Sequence, residues 1–357
     1  MALLLTPRSD WLDDRRFVYS VSIENVRKAD FLEADSAWFF DNTYPSEDMR
    51  RLLHRYAEAA GQGRNLVAAV IGGYGTGKSH LLSLVYHAAV NLPHSRTWLD
   101  QWASKFPLLG DLVLPDLAVQ PMVFSTKSQG GRHRFLWEAI FSETVAGTAG
   151  AQALEVIQAQ TEPGSSPDKE TIQQALDSFG QGRYLLLLLD ELDAWVGELE
   201  AAKTANTYFV EKLAEIFSQG MVTGALLLSL RGIDRPLLEA VQRSGAELFR
   251  PGQAVDRTTI IRFRLFGEPD DEKRSQITGL AGQYVETYRR ALNRFSQDET
   301  LRELHRDNGD DLRTYAERIV ESYPFHPAML WALLRKYDAL YEGSKEGLRG
   351  PMFIWVI

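Results

Sequence analysis

The chain has 357 residues, 45% hydrophobic, 24% charged and 11% aromatic, with a formal net charge of −9 and no cysteine. That length and balance provide one large or two ordinary domains with a buried core, and they exclude a disordered or low-complexity chain. The acidic balance excludes a surface that is basic throughout but allows a local basic groove, and the missing cysteines exclude disulfides and thiolate metal sites, which fits a reducing compartment.

In chain order, "MALLLTPRSD" holds too short an apolar stretch for a signal peptide. No run approaches the ~20 residues that span a bilayer, so the expectation is a cytoplasmic protein with no membrane partner. Residues 1–65 read as a helical or extended N-terminal segment. Within it, "AWFFDNTYP" at 37–45 reads as core packing between an N-terminal helix and a sheet, with base stacking as the open alternative.

Residues 67–80, "VAAVIGGYGTGKSH", carry the strongest signal in the chain. The apolar run 67–71 predicts a buried strand and "HLLSLVYHAAV" a helix. Between them Gly72, Gly73, Tyr74, Gly75, Thr76, Gly77, Lys78 and Ser79 match G-x-x-x-x-G-K-[ST] in full, the P-loop or Walker A pattern. The glycines let backbone N–H groups turn inward to cradle phosphate oxygens, and the helix start, including His80, adds its positive end. Lys78 is expected at the β- and γ-phosphates of a nucleotide, and Ser79 on Mg²⁺.

Residues 119–124 predict a second strand, 134–146 and 169–178 helices, and "TEPGSSPDKE" at 161–170 a surface loop ending in a helix start. Then comes "LLLLLDELD" at 185–193. A continuous apolar run of this length reads as a central parallel strand covered on both faces, and ligands of such sheets bind at the strands' carboxyl ends. With a P-loop upstream this is the Walker B strand. Asp190 is expected in the Mg²⁺ shell, and Glu191 is expected to orient the attacking water. Asp193 has two open readings, support of the metal's outer shell or capping of a helix near Trp195.

Helices are expected at 204–219 and 235–243, a buried strand at 224–231 and a last strand at 258–264, "TTIIRFR". The fold class is therefore α/β, a five-stranded parallel P-loop sheet covered by helices on both faces. "GEPDDE" marks a boundary near 267 between a P-loop core, 66–266, and a helical lid, 267–357. His326, between Phe325 and Pro327, reads as a structural histidine rather than a ligand or base. No His and Glu cluster has metal-ligand spacing and no G-x-S-x-G elbow occurs, so the nucleotide's Mg²⁺ is the one metal expected.

A P-loop, an Asp-Glu Walker B strand with one strand between them, and a C-terminal helical region resemble AAA+ ATPases and the related STAND group. That resemblance implies a polar sensor at the end of the strand after Walker B, where Ser229 stands with Arg231 two residues on. Ser229 as a small neutral residue in a buried strand stays open. It also implies an active site completed between protomers of a homo-oligomer by an arginine. Arg243 and Arg250 in "VQRSGAELFRPGQ" occupy the usual interval, with Arg250 expected at the turn into the last strand, and a surface ion pair as its alternative. Three stretches, "AAVIGGYGTGKSHLLSLVYH", "RFRLFGEP" and "ESYPFHPAMLWAL", are similar to the large bacterial ATPases of anti-phage defence islands. Among these are a family of uncharacterised function with a tyrosine-proline-phenylalanine-histidine-proline signature and the BREX-system ATPases. In that family a threonine-arginine-glycine segment follows the lid motif. Here it reads Gly347-Leu348-Arg349-Gly350, which makes Arg349 a same-chain nucleotide sensor without the threonine. The Walker B tail "DAWV" also departs from the family's pattern. Such proteins are usually longer, and the apolar ending "PMFIWVI" reads as a chain that continues.

The resemblance implies an ATP-hydrolysing motor or remodeller with DNA and other defence proteins as partners. A slow nucleotide switch of STAND or origin-recognition type, gating assembly on DNA, is the second reading. Intact Lys78, Ser79, Asp190 and Glu191 argue against a third, a scaffold with a degenerate loop. ATP rather than GTP follows from the resemblance, alongside the lack of an Asn/Thr-Lys-x-Asp guanine motif.

Overall fold

The computed structural model describes residues 4–9, 18, 20–73, 75–126, 133–162, 164–193, 196, 202–232, 235–251, 254–294, 312–330 and 332–333. Two compact units are formed, Ser20–Gly252 on one hand and Met1–Tyr19 with Gln253–Ile357 on the other.

The first unit is built on five strands, β1 (Leu66–Ile71), β2 (Val119–Ser125), β3 (Tyr184–Asp190), β4 (Gly224–Leu230) and β5 (Glu247–Phe249). They lie in the order β2-β3-β4-β1-β5, and every pairing is parallel. This is an α/β fold of P-loop type. β4 lies between β1 and β3, whereas β2, which falls between the two motifs in sequence, is on the edge of the sheet beside β3. Parallel strands hidden on both faces must be apolar at every position, and β3 and β4 are buried along their whole length. Leu185, Leu187, Leu189, Leu226 and Leu228 share one core with Leu136, Ile140, Phe179, Phe209 and Leu237 from the helices on that side. Each buried leucine contributes about 1.5–3 kcal/mol, which explains why so oily a segment sits at the centre of the sheet.

The helices of this unit are α1 (Ser36–Asp41), α2 (Glu47–Gly61), α3 (Lys78–Val90), α4 (Leu92–Ala103), α5 (Pro107–Gly110), α6 (Leu136–Ile140), α7 (Glu143–Gln160), α8 (Lys169–Gly180), α9 (Lys203–Ser218) and α10 (Arg235–Arg243). Asp168 caps α8, accepting the Thr171 N–H at 2.8 Å, which is the helix start expected at the end of the 161–170 loop. The aromatic cluster is core packing, but against helices α3 and α4. Phe39 and Phe40 meet His87, Phe40 meets Trp98, and the Trp98 indole donates to the Thr43 carbonyl at 3.0 Å.

One expected strand is not a strand. Residues 258–264 lie inside helix α11 (Ala254–Phe266), which groups with the second unit, and the fifth strand of the sheet is instead β5. β-Branched residues alternating with polar ones suggest a strand, but tertiary packing overrides that propensity. Ile261, Phe263 and Leu265 are buried, and so are Arg262 and Arg264. The Arg262 guanidinium pairs with Glu268 at 2.9 Å, and that of Arg264 donates to the Val18 carbonyl. Gly267, at φ 73°, ends the helix by donating its N–H to Phe263 O at 2.7 Å. This unit also holds the helices α12 (Asp271–Arg294) and α13 (Leu312–Ser322). His326 is satisfied there, its Nε2 3.0 Å from both the Tyr284 and Tyr315 hydroxyls and its Nδ1 accepting the Ala328 N–H at 3.2 Å.

Candidate functional site

All five strands run the same way, so the chain segments leaving their carboxyl ends share one edge of the sheet. β1 ends at Ile71 and the glycine loop begins. Gly75 and Gly77 hold φ of 72° and 94°, a region where a side chain is strained. At Gly72 space is the constraint, because a Cβ there would come within 2.6 Å of Thr76 Oγ1. That hydroxyl donates to Gly73 O at 3.0 Å and holds the loop's curl. Lys78 is folded back along the loop, its Nζ donating to Gly72 O and Gly73 O at 2.8 Å each. Burial pushes its ammonium below its usual pKa, opposed by the nearby negative charges of Asp190, Glu191 and Asp193.

β3 delivers the carboxylates. Asp190 is 1% exposed, and hydroxyls from two other elements reach it: Ser79 Oγ donates to Oδ2 at 2.7 Å, and Ser229 Oγ to Oδ1. Ser229 also accepts the Glu191 N–H at 2.9 Å. It is therefore not a neutral filler of β4, since its single hydroxyl ties together the two residues that end β3. Glu191 stands at φ 56°, a left-handed conformation rare for a non-glycine residue and often found where a site requires it. Its carboxylate is buried, with Arg231 Nη2 at 3.9 Å from Oε2. Asp193 accepts the Arg231 N–H on Oδ2 at 2.7 Å. The helix-cap reading of Asp193 involves Trp195, which lies outside the described residues.

Lys78, Ser79, Asp190, Glu191 and Ser229 are thus brought together, with Asp193 and Arg231 beside them. His80 turns the other way. Its Nε2 is 2.8 Å from Thr43 Oγ1, whose one proton goes to Phe39 O at 2.6 Å, so the imidazole is the donor. Thr43 carries no sequence signal of this contact, since it stands 37 positions before His80 and only the fold brings the two together. Arg250 is exposed and follows β5, the last strand, rather than leading into one, because 258–264 is helical. No contact among the described residues joins it to the site. Arg243 pairs with Glu211 at 3.0 Å. Tyr74 and Arg349 lie outside the described residues.

The donor set suits a phosphorylated ligand and a hard cation. A serine hydroxyl and a carboxylate oxygen 2.7 Å apart are ligands of the type Mg²⁺ takes. A lysine, two left-handed glycines and the start of α3 present positive charge and N–H groups.

Residues 14–105 match the family described as the DUF499 N-terminal domain. The match takes in β1, the glycine loop and α1 to α4, but not β3 or β4. No curated protein matches the chain.

Proposed function

We propose that this chain binds ATP with Mg²⁺ and hydrolyses it. The observation that carries the reading is the convergence of Lys78, Ser79, Asp190, Glu191 and Ser229 at the carboxyl edge of a parallel sheet ordered β2-β3-β4-β1-β5. Lys78 exchanges the carbonyls of Gly72 and Gly73 for phosphate oxygens. Ser79 and Asp190 would hold Mg²⁺, which when bound offsets charge on the β- and γ-phosphates. Glu191 orients a water for in-line attack on the γ-phosphorus. The bond to the bridging oxygen breaks, ADP and phosphate leave, and the water's proton departs with the phosphate or through the Glu191 carboxylate. Ser229 keeps Asp190 and Glu191 in register.

The local resemblances and the 14–105 match support placing this activity among the AAA+-like ATPases of bacterial defence islands. In that setting it acts in the cytoplasm as an oligomeric motor on DNA or DNA-bound proteins. Lys78→Ala is expected to abolish ATP affinity with the fold intact, measured by calorimetry. Glu191→Gln is expected to bind ATP and leave it uncleaved. An unchanged dissociation constant in the first variant, or wild-type turnover in the second, overturns the assignment. Stimulation of turnover by duplex DNA favours the motor, and tight ATP retention with negligible turnover favours a nucleotide switch.

A further inference from the structure

The β3–β4 ladder runs to Leu189 and Leu228, and beyond it the ends of the two strands are tied by side chains. The Ser229 ties to Asp190 and Glu191 form one link. A second comes from Asp193, which is 8% exposed and accepts the Arg231 N–H on Oδ2. Its other oxygen, Oδ1, is buried with no hydrogen-bond partner among the described residues. Burying a carboxylate with half its acceptors unused is costly, and a helix start or an exposed turn would have offered cheaper places for it. The site gains a fixed backbone at Arg231, whose guanidinium lies 3.9 Å from the Glu191 carboxylate. Two carboxylates two positions apart, Glu191 and Asp193, are thus joined through a single arginine, one at its side chain and one at its backbone.

We propose that Asp193 is a positioning residue. By holding the Arg231 amide it fixes the base of the Arg231 side chain, and through that side chain it sets where the Glu191 carboxylate stands. The kinetic consequence rests on the ATPase reading above, whereas the tether itself does not. What the role requires of Asp193 is an acceptor oxygen toward Arg231, not a negative charge, and that separates it from a part in the metal's outer shell.

The test uses the full chain with Asp193→Ala, Asp193→Asn, Arg231→Ala and the double variant Asp193→Ala/Arg231→Ala. ATP affinity, kcat and hydrogen exchange at the Arg231 amide are read in each. Asp193→Ala is expected to keep ATP affinity within roughly two-fold, to lower kcat by roughly ten-fold or more, and to lose protection of the Arg231 amide. Asp193→Asn, which keeps an acceptor, is expected to restore both protection and most of kcat. Arg231→Ala is expected to lower kcat as far, and the double variant to be no worse, since both changes break one linkage. Wild-type kcat in Asp193→Ala overturns the proposal. So does an Asp193→Asn variant as impaired as the alanine one, or a double variant with the two losses multiplied. Should Asp193→Ala fail to fold, Asp193→Asn decides, and near-wild-type kcat with an unprotected Arg231 amide then sinks the tether. If the wild-type chain turns over no ATP, the ATPase reading falls, while amide exchange still decides whether Asp193 holds Arg231.

Discussion

His87, in the last turn of α3, is fully buried, and both ring nitrogens are engaged in the neutral form. Nε2 donates to Glu33 O at 2.9 Å, and Nδ1 faces the Asn91 side-chain amide at 3.1 Å. Burial pushes its pKa down to about 4, with the Glu33 carbonyl and Asp35 acting in the opposite sense and His94 reinforcing it. The unfolded chain binds this proton near the ordinary value of about 6.5. Above that pH neither state is protonated and His87 contributes no pH dependence. As pH falls from about 6.5 to 4 the unfolded state alone takes up the proton, and stability drops by up to roughly 3 kcal/mol. Urea midpoints across that window should fall for the wild type and fall less for His87→Gln, and equal slopes would show that other groups dominate. Much of the site was legible at this scale because it obeys local rules. Glycines at fixed offsets before a lysine and serine declare a phosphate loop, and carboxylates ending an oily run declare a strand's carboxyl end. The Asp193–Arg231 tie was not legible, since it depends on how two turns face each other across the sheet. Neither was the His80–Thr43 bond.

At the scale of elements, β3 and β4 meet with almost no clearance. Gly224, the first residue of β4, lies so close to β3 that a Cβ would stand 2.4 Å from the Leu185 carbonyl oxygen and 2.6 Å from its Cβ. Backbone on a central strand cannot retreat as a flexible side chain can. Gly224→Ala should therefore lose about 3 kcal/mol of stability by urea denaturation, near the upper end for overpacking; a loss below about 1 kcal/mol would mean that the strands separate easily. β1, β3 and β4 were readable because burial on both faces requires continuous hydrophobicity, and β2 by its apolar, buried stretch Met122 to Phe124. The fifth escaped notice for a physical reason: β5 is three residues on the sheet's edge, paired with β1 from Ala68–Glu247 to Val70–Phe249, and too short to show a period. Its place was given instead to 258–264, where β-branching outweighed the signal of Gly267 as a helix end.

At the scale of the whole molecule, no helix among the described residues is long and apolar enough to cross a membrane. Whether protomers share a site turns on two arginines. Of the two in "VQRSGAELFRPGQ", Arg243 is held by Glu211, whereas Arg250 is exposed just past β5, the neighbour of the strand that feeds the glycine loop. If Arg250 completes a neighbour's site, specific activity rises with protein concentration. Mixing Arg250→Ala with Lys78→Ala protomers then restores part of the turnover, since each supplies what the other lacks. A rate independent of concentration, with no rescue on mixing, would leave Arg250 a surface residue.

β1 ties the matched segment to the rest of the sheet. Residues 14–105 are the stretch this chain shares with a family, and β1 is the one strand of the sheet that falls within them. Yet β1 is hydrogen-bonded on both sides, to β4 from Leu66–Ala225 to Ile71–Leu230 and to β5 on its other edge. The matched segment thus leaves out both strands with which its own strand pairs. On its own it would carry the glycine loop on a strand with both edges bare, so the footing of that loop depends on β4 and β5, which lie outside the match.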